Sequence, residues 1–275
     1  AKAAGGGTMR FYHAGMSEGL QRRMLLATKL KGALHARQLS LHFQPQFDLC
    51  SGALCGAEAL ARWHDPEAGW IAPSEFIPVA ETRGLIDELG DWALSEAARQ
   101  VRAWDDAGLA FPGRVAVNVS ARQMTDEGFV ARAVQLVQAH GITPQRIELE
   151  VTESSMMQDP KKAEEQAHAL VSAGFVLSID DFGTGYSSLA ALKRLPVSKL
   201  KIDMSFVRDM LDKPEDHTIV HTIISMARAA PAHAGGGRRA RRAGRCAAGT
   251  RLRPGSGLVP RPRRAGRRVR HPVAH

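Results

Sequence analysis

Four short runs decide the fold: VAVNV at residues 115–119, RIELEV at 146–151, VLSID at 176–180 and KLKID at 199–203. Each is aliphatic, short enough for a buried strand, and polar in or at its end. Between the first two, Phe129, Ala133, Leu136 and Val137 recur at helical spacing. Working outward, Leu94, Val101 and Trp104 form another helical pattern, and Leu39, Leu41 and Phe43 alternate with polar residues as a half-buried strand would. Downstream, Ile219 to Ala227 reads as one more helix. Strand and helix thus alternate with a repeat of roughly 20–35 residues, the pattern of a parallel α/β fold.

The composition is that of a globular chain, with 44% hydrophobic and 24% charged residues over 275 positions. The net charge of +9 invites a nucleic-acid reading until its location is traced. Thirteen of the 37 basic residues, and none of the 28 acids, fall in residues 231–275. Residues 1–230 therefore carry 24 basic and 28 acidic groups, a net −4. Cys50, Cys55 and Cys246 show no metal-ligand spacing and no even-numbered disulfide framework, which suits a reducing cytoplasm. No apolar run reaches the roughly 18 residues of a membrane helix.

The strand ends carry the chemistry. Glu58, Asn118, Glu150, Asp180 with Asp181, and Lys201 with Asp203 all lie in or at the end of a strand-like run. In a (β/α)8 barrel those ends converge on one face, where active sites are built. One polar strand end is explained by the approach to solvent; five in succession suggest a shared site. The set offers oxygen ligands only, which selects Mg2+ or Mn2+ over zinc or copper. Adjacent Asp180 and Asp181 would repel each other if buried without a cation. Two such ions could orient a water and stabilise both oxygens of a phosphodiester exchange, with Lys201 offsetting charge on the phosphate.

Histidines fit the site poorly. His217 and His221 have HxxxH spacing on the last helical stretch without a protease glutamate. His64 and Glu67 flank Pro66 in what reads as a loop, while His42 and His140 read as structural or surface residues. The run from Asp180 to Ser188 leaves its strand through Gly183 and Gly185 and reads as entering a helix.

These residues stand in a wider pattern. Glu58-Ala59-Leu60 is followed by Arg62, and around it lie Phe43-Gln44-Pro45, Phe76 to Glu81, Asn118-Val119-Ser120, Glu150 to Ser154, Asp180 to Gly185 and Lys199 to Asp203. In order and spacing this set resembles the EAL-domain family of cyclic di-GMP phosphodiesterases. The resemblance implies a modified TIM-type (β/α)8 barrel that cleaves cyclic di-GMP to linear pGpG with Mg2+ or Mn2+. It implies metal ligands at Glu58, Asn118, Glu150 and Asp180, and Asp181 on a second metal or the attacking water. Lys201 would assist at the reaction centre, and Gln44, Leu60, Arg62 and Asp203 would contact the dinucleotide. Glu153 would brace the loop from Asp181 to Ser188, which in this family couples the site to a homodimer interface.

Three segments follow from this reading: residues 1–38 as a linker with a helix through Leu34, such as joins a GGDEF to an EAL domain; 39–230 as the barrel through its sixth strand; and 231–275 as a tail. The start at Ala1 and Gly5-Gly6-Gly7 suggests a cut from a longer signalling protein. In the tail, the EGVE-like and Gln-Gly-aromatic motifs of a seventh and eighth strand are missing. Its Arg, Gly, Ala and Pro content is what an out-of-frame reading of a GC-rich gene would give from about residue 230, an idea that an uninterrupted frame in the native locus would remove. Such a composition predicts disorder, an open barrel, and weak hydrolysis or none, with a receptor or docking module as the alternative function. A nucleic-acid role is not expected.

Overall fold

The computed structural model describes residues 14–184 and 194–229. Seven strands among them form one sheet. β1 (Leu39–Phe47) runs antiparallel to β2 (Leu54–Asp65), whose outer end also pairs with the short β3 (Gly69–Ile71). From β2 the sheet continues in parallel through β4 (Arg114–Val119), β5 (Ile147–Thr152), β6 (Val176–Phe182) and β7 (Lys199–Ile202). Sheet order follows chain order with no reversal, the winding of a barrel and not of a doubly wound sheet. The sheet curls far enough for Lys199 Nζ on β7 to reach Gln46 Oε1 on β1 at 3.2 Å. Among the described residues β1 and β7 are nevertheless not paired, so the barrel these strands form is open, as the sequence predicts.

Eight helices accompany the described strands. α1 (Ala14–His35), α2 (Pro73–Arg83) and α3 (Ile86–Asp106) precede β4; α4 (Phe129–Gln138), α5 (Glu153–Gln158) and α6 (Pro160–Ser172) precede β6; α7 (Met204–Asp209) and α8 (Pro214–Ala229) follow β7. The helical spacings read from sequence fall in α3, α4 and α8. α2 starts on Pro73, where a missing N–H costs nothing, and ends at Gly84 in the left-handed conformation (φ 71°), its N–H bonding the carbonyls of Ala80 and Glu81.

Period-two alternation divides each strand between two environments. Val115, Val117, Ile147, Leu149, Val151, Leu177 and Ile179 turn outward and are buried against Leu94, Val101, Phe129, Val137 and Leu170 of the helices. At about 1.5–3 kcal/mol per fully buried aliphatic side chain, this layer dominates the stability of the domain. The alternate residues, Glu148, Glu150, Ser178, Asp180, Lys199 and Lys201, turn inward. A second core joins α1 to the sheet edge: Leu26, Leu30 and Ala33 pack with Trp63, Phe76 and Val79. Lys29 reinforces it by pairing with buried Asp65 at 3.0 Å. The helix placed in the linker by sequence is therefore docked on the sheet from Leu26 to Ala33. His64, placed in a loop by sequence, lies inside β2; only Pro66 and its neighbours form the turn.

The tail from residue 230, the N-terminal thirteen residues and the segment 185–193 lie outside the described residues, and with them the expectations for disorder, for Gly185 to Ser188 and for the dimer contact.

Candidate metal and phosphodiester site

Register brings the inward acids together. β4 and β5 pair Asn118 with Glu150 at one height, and β5 and β6 pair Glu150 with Ser178 and Thr152 with Asp180, so Asp180 shares the inner face one rung further along. Glu58 on β2 arrives one rung away, opposite Ala116. Carboxylate oxygens of Glu58, Glu150 and Asp180 all lie within 4.8 Å of one another. Lys201 reaches into their midst, its Nζ 3.1 Å from Glu58, 2.7 Å from Glu150 and 2.8 Å from Asp180. Asn118 Nδ2 donates to Glu58 Oε1 at 3.3 Å.

The electrostatics are unbalanced. Three carboxylates against one ammonium leave an excess of two negative charges when all are ionised. Burial raises Glu150 to about 8, an effect Lys201 opposes and Glu58 and Asp180 reinforce. For Lys201 burial acts downward, but the surrounding carboxylates outweigh it and hold the ammonium charged. The second oxygen of Glu150, Oε1, is buried with no hydrogen-bond partner among the described residues. An orphaned carboxylate oxygen beside two other carboxylates is where a hard divalent cation fits, and a dication matches the excess charge. Glu58, Glu150 and Asp180 are the residues placed to hold one.

Asp181 stands outside this trio. Its backbone is left-handed at φ 53°, an unusual state for a residue with a Cβ that costs roughly 1–3 kcal/mol and concentrates at functional sites. Local bonds hold it: its N–H donates to Asp180 Oδ1 at 2.9 Å, and its carbonyl accepts from Thr184 Oγ1 at 2.9 Å. Desolvation, then the negative charges of Asp180 and Asp203, raise the Asp181 carboxyl to about 6. Asp203 is lowered by hydrogen bonds from the Ser205 hydroxyl and N–H, the latter 2.7 Å, with which it caps α7. One oxygen of Asp203 is thus committed to a helix cap.

Glu153, buried at the start of α5, accepts from the N–H of Gly183 at 2.9 Å, where φ of 105° suits glycine. That bond ties α5 to the first residue after β6; the remainder of the loop that Glu153 is expected to brace lies outside the described residues. Gln44 stands opposite Glu58 on β1, and Leu60 and Arg62 follow Glu58 outward along the same face of β2.

Two features escape the sequence reading. Below the carboxylate trio, Lys199 pairs with Glu148 at 2.7 Å, forming a second charged layer with Gln46. The signal was present as KLK and ELE, since residues two apart in a strand share a face. Beyond Arg62, Trp70 lies against His42 and His64. A cavity of about 240 Å³ beside Met156, Pro160 and Arg194 contains none of the site residues.

An open barrel with inward carboxylates at the ends of parallel strands defines a class: an α/β-barrel protein with an oxygen-ligand cation site. Within that class the chain belongs to the EAL-domain family, whose model matches residues 27–233. It is 42% identical over 218 residues to the bifunctional diguanylate cyclase/cyclic di-GMP phosphodiesterase MucR of Pseudomonas aeruginosa, covering 79% of this chain and 32% of MucR. It is 36% identical over 217 residues to the cyclic di-GMP phosphodiesterase PA2567 of the same organism, covering 78% of this chain and 37% of that protein. The chain thus spans about a third of the length of these curated relatives. Among solved structures, the MucR phosphodiesterase in complex with cyclic di-GMP superposes with a TM-score of 0.71 at 43% identity, over 74% of this chain and 83% of that one. No helix among the described residues is long and apolar enough to cross a membrane.

Proposed function

We propose that this chain binds cyclic di-GMP and hydrolyses one of its phosphodiester bonds to give linear pGpG, with Mg2+ or Mn2+ held by Glu58, Glu150 and Asp180. The observation that carries the reading is the convergence of these carboxylates on Lys201, in a chain 43% identical to a phosphodiesterase solved with cyclic di-GMP. A divalent cation held by these carboxylates would supply Lewis-acid polarisation of the phosphoryl group and activation of water. Asn118 completes the oxygen donors, and Asp181 orients the attacking water. As water oxygen bonds to phosphorus, the P–O3′ bond breaks, and a proton passes to the departing 3′ oxygen. Lys201 offsets negative charge gathering on the phosphate. Gln44, Leu60, Arg62 and Asp203 position the dinucleotide, and Glu153 keeps the strand end after Asp181 in place. The segments 39–230 and 231–275 are read as barrel and tail, and the Asp181–Ser188 loop as the seat of a homodimer contact.

Among the described residues the outer edge of β7 is unpaired, which favours a second reading, a receptor that binds the dinucleotide without turnover. Incubating the purified chain with cyclic di-GMP and Mn2+, and separating products by chromatography, distinguishes the two. Metal-dependent pGpG that disappears in Glu58→Ala supports the enzyme; binding without product supports the receptor; neither binding nor product removes both.

A further inference from the structure

The inner face of the β1–β2 hairpin continues past the residues assigned above. From Glu58, the positions sharing its face are Leu60, Arg62 and His64, while Ala57, Ala59 and Trp63 turn to the other side and are buried. On β1 the partners of this strip are Gln44 opposite Glu58, His42 opposite Leu60 and Ser40 opposite Arg62. At its outer end His64 pairs with Trp70 of β3. The Trp70 indole contacts both imidazoles edge-on, at centroid distances of 5.0 Å to His64 and 6.0 Å to His42. Reaching His42 requires the indole to lean across β2, over the strip that holds Leu60 and Arg62.

Trp70 is 63% exposed, whereas Trp63 is fully buried and Trp92 and Trp104 are half-buried. A large aromatic left in water contributes little to the core, yet this one is fixed on two sides by rings. A ring held in place loses little conformational freedom when a flat ligand stacks on it. Nucleobases stack on such rings regardless of hydrogen bonding, and a neighbouring Arg can read the edge of a guanine at O6 and N7. Arg62 lies roughly 13 Å along the strand from Glu58. A cyclic dinucleotide with one phosphate at the carboxylates must send a base away from them, and this strip is continuous with the site.

We propose that Trp70, held between His42 and His64, is the stacking platform for one guanine base of cyclic di-GMP bound at the carboxylate site. The proposal rests on the functional reading above and adds a base-recognition residue to it. Trp70→Ala, Trp70→Phe and His42→Ala are to be compared with the unaltered chain by titration calorimetry with Mn2+ alone, and by KM, or Kd where no turnover occurs, for cyclic di-GMP. Trp70→Ala is expected to weaken cyclic di-GMP about tenfold, within the range for loss of one base–aromatic stack, while Mn2+ affinity stays unchanged. Trp70→Phe, which keeps a ring, should recover most of that loss, and His42→Ala should show a smaller one. Unchanged cyclic di-GMP affinity in Trp70→Ala overturns the platform, as does an equal loss of Mn2+ affinity, which would mark a merely structural hairpin residue. Failure of the unaltered chain to bind cyclic di-GMP overturns the functional reading itself, a result visible before any variant is made.

Discussion

Leu149 and Glu150 are neighbours on β5, both buried, and they serve opposite ends. The Leu149 side chain faces outward into the hydrophobic core under the helix layer, where the gain is stability. Glu150 faces inward among two other carboxylates and a lysine, with one oxygen unpartnered. Burying that acid without a cation opposes folding, because desolvation favours its neutral form. The same strand thus carries a layer that holds the fold and a layer that strains it. A functional site is recognisable as the layer whose stability is worse than its packing would permit.

The largest effect should come from breaking the inner layer alone. Glu150→Gln keeps the shape and removes a cation ligand, so cyclic di-GMP hydrolysis should fall about a thousandfold, the equivalent of about 4 kcal/mol of transition-state stabilisation. Above about pH 8, where Glu150 would ionise, the metal-free melting temperature should hold or rise, because a buried charge has gone. A variant that kept full Mn2+-dependent turnover would end the ligand assignment. The outer layer predicts the reverse. Leu149→Ala should cost about 2–5 kcal/mol, lowering the melting temperature by roughly 5–15 °C, with Mn2+ affinity of the folded protein unchanged. If calorimetry found both properties altered in both variants, the two layers would not be separable.

The second charged layer sharpens the comparison at smaller scale. Lys199→Met leaves Glu148 buried without its 2.7 Å partner and should destabilise by about 1–3 kcal/mol. Lys199→Met with Glu148→Met together should restore much of the loss, since apolar replacements of both partners remove the uncompensated charge. A double variant as unstable as the single would mean that Lys199 acts through Gln46 on β1 and holds the curl of the sheet.

Much of this division was legible in the sequence, and for a local reason. Strand runs, helical spacings and the acids at strand ends depend on period and composition, so Glu58, Glu150, Asp180 and Lys201 were found before any coordinate. What escaped depends on curvature. Nothing local says that Lys201 reaches Glu58 on β2 or that Lys199 reaches Gln46 on β1, because those contacts exist only once the sheet has bent around from β1 to β7. His64 was lost to a loop because Pro66 marks a turn without saying how far the strand runs toward it. The strained backbone at Asp181 was likewise invisible: a DDFG run signals a turn and does not say which residue turns.

The pH dependence of stability tests the strain directly. In the metal-free chain Glu150 lies at about 8 and Asp181 at about 6, both above their ordinary values near 4.5 and 3.8. A carboxyl raised on folding favours the folded state while it keeps its proton. That contribution is complete below the ordinary value and is lost as pH rises through the raised one. The metal-free melting temperature should therefore decline as pH rises above about 5, in a steeper stage that ends near 6 and a shallower one that ends near 8. Mn2+ requires the same groups ionised, so its stabilising increment should grow over that window. Glu150→Gln should remove the upper stage and leave the lower one. A metal-free melting temperature that rose with pH across this range would show that the inner carboxylates are not under strain, and the contrast between the two faces of β5 would fail.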